Sequence, residues 1–170
     1  GMAGWGTQDH KLKNAIREDF FNDSDKLIDL KDNLHRGCLD WNPEYYPDDD
    51  SEQWKFDIAA NVQWICEEEI RKVFSLEKRL VPETNNCVYM GGVALNCVAN
   101  GKILRNGKFE NIWIQPAAGD AGGALGAALA LWHKELKKER FSPFKDKMQG
   151  SYLGPSFNDN EIEKFTKLIE

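Results

Sequence analysis

Residues 87–92 read CVYMGG and residues 109–116 read FENIWIQP. Each is a short run rich in apolar, β-branched or aromatic residues that stops at glycine or proline, which predicts a strand. Between them, residues 93–107 (VALNCVANGKILRNG) carry apolar residues at helical spacing, with Gly107 as the predicted stop. A strand, a helix and a second strand in this order predict a parallel β–α–β unit.

Helices are predicted on both sides of this unit. Ahead of it, apolar residues three and four apart predict one buried face of a helix over about 51–78, namely Ala59, Val62, Cys66, Ile70 and Val73. Behind it, residues 121–138 predict a helix of small residues, and another helix begins at Asn158 or Asp159 after a linker over 141–157. The whole order predicts an α/β fold with parallel strands flanked by helices.

The pattern indicates one lobe of a larger domain. Residues 1–50 contain no clear strand, only a helix predicted to start at Thr7 and an acidic, proline-containing loop over 40–50. The last helix starts close to the end of the sequence, and the Gly-Met opening is typical of a cleaved tag. We therefore expect the chain to be a piece of a longer protein.

Composition excludes several function classes. A net charge of -6 gives no basic footprint, so nucleic-acid binding is not expected as the main role. No apolar run approaches the roughly 20 residues that a bilayer span needs, and the residues given predict no signal peptide. The four cysteines show no CxxC spacing, which predicts reduced thiols in a cytoplasmic protein.

The first glycine turn follows the first predicted strand. Gly91 and Gly92 would place bare backbone amides at a helix start, where an anion can bind because the amides are unpaired and no Cβ blocks its approach. Asn96 would lie one turn into that helix, within reach of a ribose or phosphate. The alternative is a tight strand-to-helix turn with close packing, and no GK[ST] sequence follows that would make the turn a P-loop.

The second glycine turn lies in QPAAGDAGGALGAAL, residues 115–129, where Asp120 is the only charged residue. With the next helix predicted to start at Ala121, Asp120 would be its N-cap and accept first-turn amides. The alternative is that Asp120 points into the cleft at the carboxyl ends of the strands and ligates a metal or orients a phosphate. The small residues that follow would let the helix approach another element or a ligand closely.

The two turns together, MGGVALNCVANGKIL followed by FENIWIQPAAGDAGGALGAAL, resemble the nodulation-protein-type O-carbamoyltransferases. The similarity is strong over about 87–160, looser over the helix of 51–78 and weak over 1–50. It implies one lobe of an actin-like ATPase (RNase H-like) domain: residues 1–150 would be its C-terminal portion, and residues 151–170 the linker toward a YrdC-like domain. It implies a cytoplasmic transferase of biosynthesis that moves a carbamoyl group from carbamoyl-adenylate, made from carbamoyl phosphate and ATP, to a hydroxyl of a small-molecule acceptor.

The resemblance also implies site residues. The nucleotide would lie against the glycine turns, at Gly91, Gly92, Asn96, Gly119 and Gly122. The resemblance implies that Asp120 ligates the catalytic metal, a divalent ion expected to be Fe(II), and that both metal and ATP are bound in the full-length enzyme. No catalytic residue is assigned.

The sequence departs from the family pattern in its histidines. The family's other metal ligands form an HxxxH motif, whereas His10, His35 and His133 are isolated here. We expect the chain alone to be inactive, to hold metal weakly, and to form a homodimer through surface that a missing remainder would cover. The open alternatives are a piece of a tRNA threonylcarbamoyl transferase and a non-catalytic lobe that binds a nucleotide or a partner chain.

Overall fold

The computed structural model describes residues 1–24, 26–34, 37, 41, 51–140, 148, 151–152 and 154–169. The regular elements in chain order are a 3-10 turn Met2–Trp5, α1 His10–Phe20, α2 Gln53–Leu80, β1 Asn86–Tyr89, a 3-10 turn Gly92–Leu95, α3 Cys97–Arg105, β2 Asn111–Ile114, α4 Gly122–Ala130, a π-helical turn Leu131–Glu135, and α5 Asp159–Thr166. They divide into two compact units, Gly1–Tyr89 with Asn96–Trp113, and Met90–Leu95 with Ile114–Glu170.

The first unit contains the predicted β–α–β arrangement. β1 and β2 pair in a two-stranded parallel sheet, each four residues long, and α3 connects them. The core between this sheet and α2 consists of Ile70, Phe74, Cys87, Ala99, Ile103 and Phe109. Phe74 lies at its centre, with its ring edge-to-face against Tyr89 at 5.2 Å and Phe109 at 5.9 Å. The mixed α/β prediction is therefore confirmed.

The predicted apolar face of α2 is only partly right. Ile70 is buried as expected, but Val62 is 49% exposed, and the residues that bury the helix include Asn61, Glu67 and Glu69. The reason is that polar partners cover this side of α2. Lys102 of α3 pairs with Glu67 at 2.5 Å, and Arg17 of α1 pairs with Glu69 at 2.6 Å. The spacing of apolar residues alone cannot predict that paired charged residues are buried.

The start of α1 is fixed by a buried amide on α2. Asn61 is fully buried, and its side chain accepts from the Asp9 amide at 3.0 Å and donates to the Thr7 and Asp57 carbonyls at 3.0 and 2.8 Å. Asp9 in turn caps α1 by accepting from the Leu12 amide. The predicted helix start at Thr7 is thus wrong by three residues, because Thr7 is held in the loop by α2.

The helix predicted over 93–107 is divided. Residues 92–95 form a 3-10 turn, and α3 begins only after Asn96, whose side chain accepts from the Ala99 amide at 3.1 Å. Gly107 ends the segment with φ +65°, as predicted for a helix stop that needs the left-handed region. The sequence did not predict this division, because the apolar residues of 93–107 continue at helical spacing across Asn96.

The second unit contains α4 and α5. The helix predicted over 121–138 changes at Leu131 into a π-helical turn and ends at Leu136, and Lys137 has φ +52°. α5 begins as predicted at Asn158, through a capping box with Glu161. No residue of α4 is buried, although almost all its side chains are apolar or absent.

The structure bears on two predictions made from composition, the one on bilayer spans and the one on the cysteines. None of their helices combines the length and the apolar character that a bilayer span requires. Cys66, Cys87 and Cys97 are free thiols, as predicted, and burial raises the pKa of the first two. Cys38 lies outside the described residues.

Candidate functional site

The two glycine turns meet within the second unit. The Gly91 amide donates to the Ala118 carbonyl at 2.9 Å, which joins the segment after β1 to the segment after β2. At Gly119, a Cβ would lie 3.8 Å from the Gly92 Cα and from Leu95 Cδ1. Three of the predicted nucleotide contacts, Gly91, Gly92 and Gly119, are therefore brought together within the second unit.

Gly91 and Gly92 differ in why glycine suits them. Gly91 has φ +112°, a conformation that side-chain-bearing residues rarely adopt. Gly92 is outside that region, and a Cβ there would have no described atom within 4 Å. Its bare backbone faces open space, as a surface that a ligand approaches closely would do.

The prediction of unpaired backbone amides at Gly91 and Gly92 is wrong at Gly91, and backbone carbonyls rather than Asp120 accept from the first amides of α4. The Gly91 amide is bonded to Ala118, and the amides of Gly122 and Gly123 donate to the Gly119 and Asp120 carbonyls at 3.0 and 2.9 Å. A carbonyl of the other glycine turn accepts from the Gly91 amide, whereas the amides of Gly122 and Gly123 close i to i+3 bonds before the regular helix begins. Any ligand contact here would come from main-chain surface and from the remaining polar groups, not from these three donors.

Gly122 has a structural reason to be glycine. A Cβ at this position would lie 2.1 Å from the Ala117 carbonyl oxygen, far inside van der Waals contact with a backbone atom. The turn Ala117–Ala121 folds back onto the first residue of α4 only because no side chain is there. This packing role does not test the predicted nucleotide contact of Gly122.

Asp120 is exposed and is not the cap of α4. The helix begins at Gly122 with Ala121 at its N-cap position, and no side chain caps it. The N-cap prediction is wrong because the tight turn satisfies the first amides from carbonyls. In the part of the chain that the structure describes, no hydrogen bond or ion pair engages the Asp120 carboxylate, so it can serve another group.

The described residues do not by themselves form the implied metal centre. In the described ranges, no group of three or more His, Cys, Asp or Glu side chains is placed to hold an ion. His10 packs edge-on against Trp64 at 4.7 Å, and His133 Nδ1 bonds the Lys138 carbonyl at 2.8 Å. His35 lies outside the described residues. One exposed carboxylate fits at most one position of such a site.

Asn96 belongs to the first unit and is already engaged. Besides capping α3, its amide exchanges hydrogen bonds with Gln63 of α2, with Asn96 Nδ2 to Gln63 Oε1 at 2.8 Å and the reverse bond at 3.2 Å. The prediction that it lies one turn into the helix is wrong, and a contact to nucleotide would have to replace or share these bonds. Sequence reasoning missed Gln63, whose only signal is a polar residue among the partly buried positions of α2.

The segment that contains both glycine turns is similar to known proteins. Residues 6–129 match the family model described as Carbamoyltransferase N-terminus, which spans both glycine turns. The chain is 50% identical over 125 residues to the uncharacterized protein sll1178 of Synechocystis, covering 74% of this chain and 20% of that protein. It is 48% identical over 75 residues to nodulation protein NolNO of Sinorhizobium fredii, covering 44% of this chain and 10% of that protein.

A third relative is nodulation protein NolO of Bradyrhizobium diazoefficiens. It is 36% identical over 105 residues, which cover 62% of this chain and 18% of that protein. The chain therefore spans between a tenth and a fifth of the length of these three relatives.

Proposed function

The chain belongs to the carbamoyltransferase family, and we propose that it forms part of an enzyme that transfers a carbamoyl group to a hydroxyl of a small-molecule acceptor. The observation that carries this proposal is the meeting of the two glycine turns at Gly91 and Ala118, inside the segment that matches the family. The nodulation proteins among its relatives support this reaction class over tRNA modification.

The nucleotide part of the reaction is assigned to the paired turns. ATP, and the carbamoyl-adenylate formed from it and carbamoyl phosphate, would lie along Gly91, Gly92 and Gly119. The open main chain at Gly92 supports this placement, because a phosphate or ribose can approach a backbone that carries no Cβ. Gly122 would act indirectly, by allowing the turn that presents Gly119.

The transfer step needs little from this segment beyond positioning. The acceptor oxygen forms a bond to the carbamoyl carbon, the bond from that carbon to the adenylate phosphate oxygen breaks, AMP leaves, and the hydroxyl proton passes to a base. The small residues around Gly92 and Gly119 would hold the leaving phosphate close to the main chain. The base is not among the residues we assign.

For the metal, we propose that Asp120 supplies one ligand and that the others come from outside the described residues. A bound ferrous ion would supply Lewis acidity toward a carbonyl or phosphate. Since one exposed carboxylate is a weak site, we expect the 170-residue chain to bind Fe²⁺ only weakly. Isothermal titration with Fe²⁺, on wild type and on Asp120→Ala, measures this; tight binding that Asp120→Ala abolishes would contradict it.

We also propose that the two strands belong to the larger sheet of an actin-like domain. The two strands use one face for the core, while Val88 and Trp113 on the other face are 64% and 45% exposed. A two-stranded sheet is marginal in isolation, so an apolar second face supports membership of a larger sheet covered on both sides. The free thiols of Cys66, Cys87 and Cys97 support a cytoplasmic location.

The proposal is tested by closing the open surface at Gly92. In the protein encoded by the complete gene, we expect Gly92→Val to raise the KM for ATP at least tenfold in an assay of AMP release that depends on carbamoyl phosphate and acceptor. A Cβ at this position has no described atom within 4 Å, so we expect the variant to fold, which a thermal melt checks. Gly4→Val, at another position with open space, is the matched control and should leave the KM unchanged. An unchanged KM in Gly92→Val, or no carbamoyl transfer in wild type, would overturn the proposal.

A further inference from the structure

A cationic cleft lies in the first unit, on the side of α2 that bears Arg71 and Arg79. It has a volume of about 870 Å³ and is lined by Arg17, Lys26, Leu27, Glu68, Arg71, Lys72, Ser75, Arg79 and Lys108. Six of the nine lining residues are cations and one is an acid, although the whole chain carries a net charge of -6. Five of the lining residues belong to α2 and share one face of the helix because they lie three or four residues apart: Glu68, Arg71, Lys72, Ser75 and Arg79.

Only some of these cations are neutralised by the protein. Arg17 pairs with Glu68 and Glu69 at 3.0 and 2.6 Å, and Lys72 also pairs with Glu69 at 2.9 Å. Lys26 pairs with Asp29 at 3.2 Å. Among the residues that the structure describes, by contrast, no ion pair to a carboxylate involves the other three, Arg71, Arg79 and Lys108.

We propose that this cleft binds a small anion that carries two or more phosphate groups. Three arginines provide planar forks that match phosphate oxygens, and Ser75 adds a hydroxyl between them. The volume lies within the range of small-ligand sites. Leu27 is the one apolar lining residue and none is aromatic, so the lining offers no stacking surface for a nucleobase, which favours a compact polyphosphate over RNA.

This site is separate from the proposed nucleotide surface and does not rest on the proposed function. The cleft is lined by residues of the first unit, whereas the glycine turns belong to the second unit, so the two sites share no residue. The residues that line the cleft lie within the match to the family model, but the proposal of a phosphate site is argued from their charge and not from that match. The two proposals can therefore fail independently.

The test is isothermal titration of the 170-residue chain with inorganic tripolyphosphate in 50 mM and 150 mM NaCl. We expect saturable 1:1 binding that weakens with salt. The double variant Arg71→Gln/Arg79→Gln should lose at least tenfold in affinity. Lys11→Gln/Lys164→Gln, two exposed positions with the same total charge change, should stay within twofold of wild type.

Circular dichroism melts establish that each variant folds. Gly92→Val should bind tripolyphosphate like wild type, which separates this result from the ATP assay. No saturable binding by wild type, or equal losses in the two double variants, would overturn the proposal. A single-stranded RNA that binds more tightly than tripolyphosphate and competes with it would also overturn it, in favour of a nucleic-acid surface.

Discussion

At the scale of single residues, glycine has two different roles in the second unit. At Gly122 the Ala117 carbonyl oxygen occupies the place of a side chain, whereas at Gly126 the same place is open. The sequence shows only a run of small residues over 115–129 and cannot separate the two, because the distinction depends on where the preceding turn folds back. The structure makes the separation directly testable.

We expect Gly122→Ala to destabilise the fold and Gly126→Ala to stabilise it. In the first, the new Cβ would have to displace a backbone oxygen 2.1 Å away, at a cost of about 1 to 3 kcal/mol. In the second, alanine replaces glycine inside a helix, a gain of up to about 1 kcal/mol. Urea unfolding monitored by circular dichroism measures both; equal effects would show that the turn adjusts without cost.

Asn61 is the residue on which the packing of α1 against α2 most depends. We expect Asn61→Ala to lower the free energy of unfolding by about 2 to 4 kcal/mol, since it leaves the Asp9 amide and the Thr7 carbonyl without their buried partner. Val62→Ala is the neighbouring control, at a half-exposed position, and should cost under about 1 kcal/mol. Thermal melts of the two variants give the comparison, and similar Tm values would contradict it.

At the scale of elements, the acidic run Glu67, Glu68 and Glu69 on α2 determines how its neighbours pack. Lys13 and Arg17 of α1 bond Glu68 at 2.9 and 3.0 Å, and Lys13 also stacks over Trp64 at 3.9 Å. Burial by itself would raise the pKa of Glu68, but the hydrogen bonds from Lys13 and Arg17 together hold that pKa below its ordinary value. This part of α2 is thus stabilised by an ionised carboxylate.

The depressed pKa of Glu68 sets the sign of a pH dependence. Its contribution is fully present above the ordinary pKa of a glutamate, about 4.3, and is lost as the pH falls through the lower pKa of the folded state. We expect Glu68→Gln to cost about 1 to 3 kcal/mol at pH 7 and to flatten the loss of stability below pH 4.5. Urea midpoints between pH 3 and 7 measure this. Glu18→Gln, on the exposed side of α1, should keep the wild-type slope.

Local patterns predicted the elements of the β–α–β unit well, and missed the features that tertiary contacts decide. The strands predicted over 87–92 and 109–116 form over Asn86–Tyr89 and Asn111–Ile114, because the backbone leaves the sheet before each glycine or proline. The stop at Gly107 and the cap at Asn158 also follow from local chemistry. The Asp120 cap and the unpaired Gly91 amide failed because carbonyls from adjoining turns took those roles. The cationic cleft escaped notice because its members come from four separate segments and the overall charge is acidic.

At the scale of the whole molecule, much apolar surface is uncovered. In α4 and the π-helical turn, Leu125, Leu129, Leu131 and Trp132 are between 39% and 56% exposed, and Val88 and Trp113 are exposed on the sheet. Surface of this kind normally packs against another element. In two relatives the matched part is only a fifth and a tenth of the whole protein, so the rest of such a protein could cover this surface.

We therefore expect the 170-residue chain to self-associate through this surface. Light scattering after gel filtration should show a dimer or larger species at micromolar concentration. Leu129→Gln/Trp132→Gln should shift it toward monomer because it removes apolar area that association would bury. Lys134→Gln, on an adjacent exposed position, should not; a wild-type chain that stays monomeric would contradict the expectation.

The central claim is that the two glycine turns form one nucleotide surface of a carbamoyltransferase. Hydrogen exchange of the complete gene product, with and without ATP and carbamoyl phosphate, tests it most directly. The account predicts slower amide exchange in both residues 90–95 and residues 117–123 when nucleotide is bound, together and at the same ATP concentration. Protection of only one turn, or of neither while carbamoyl transfer proceeds, would contradict it.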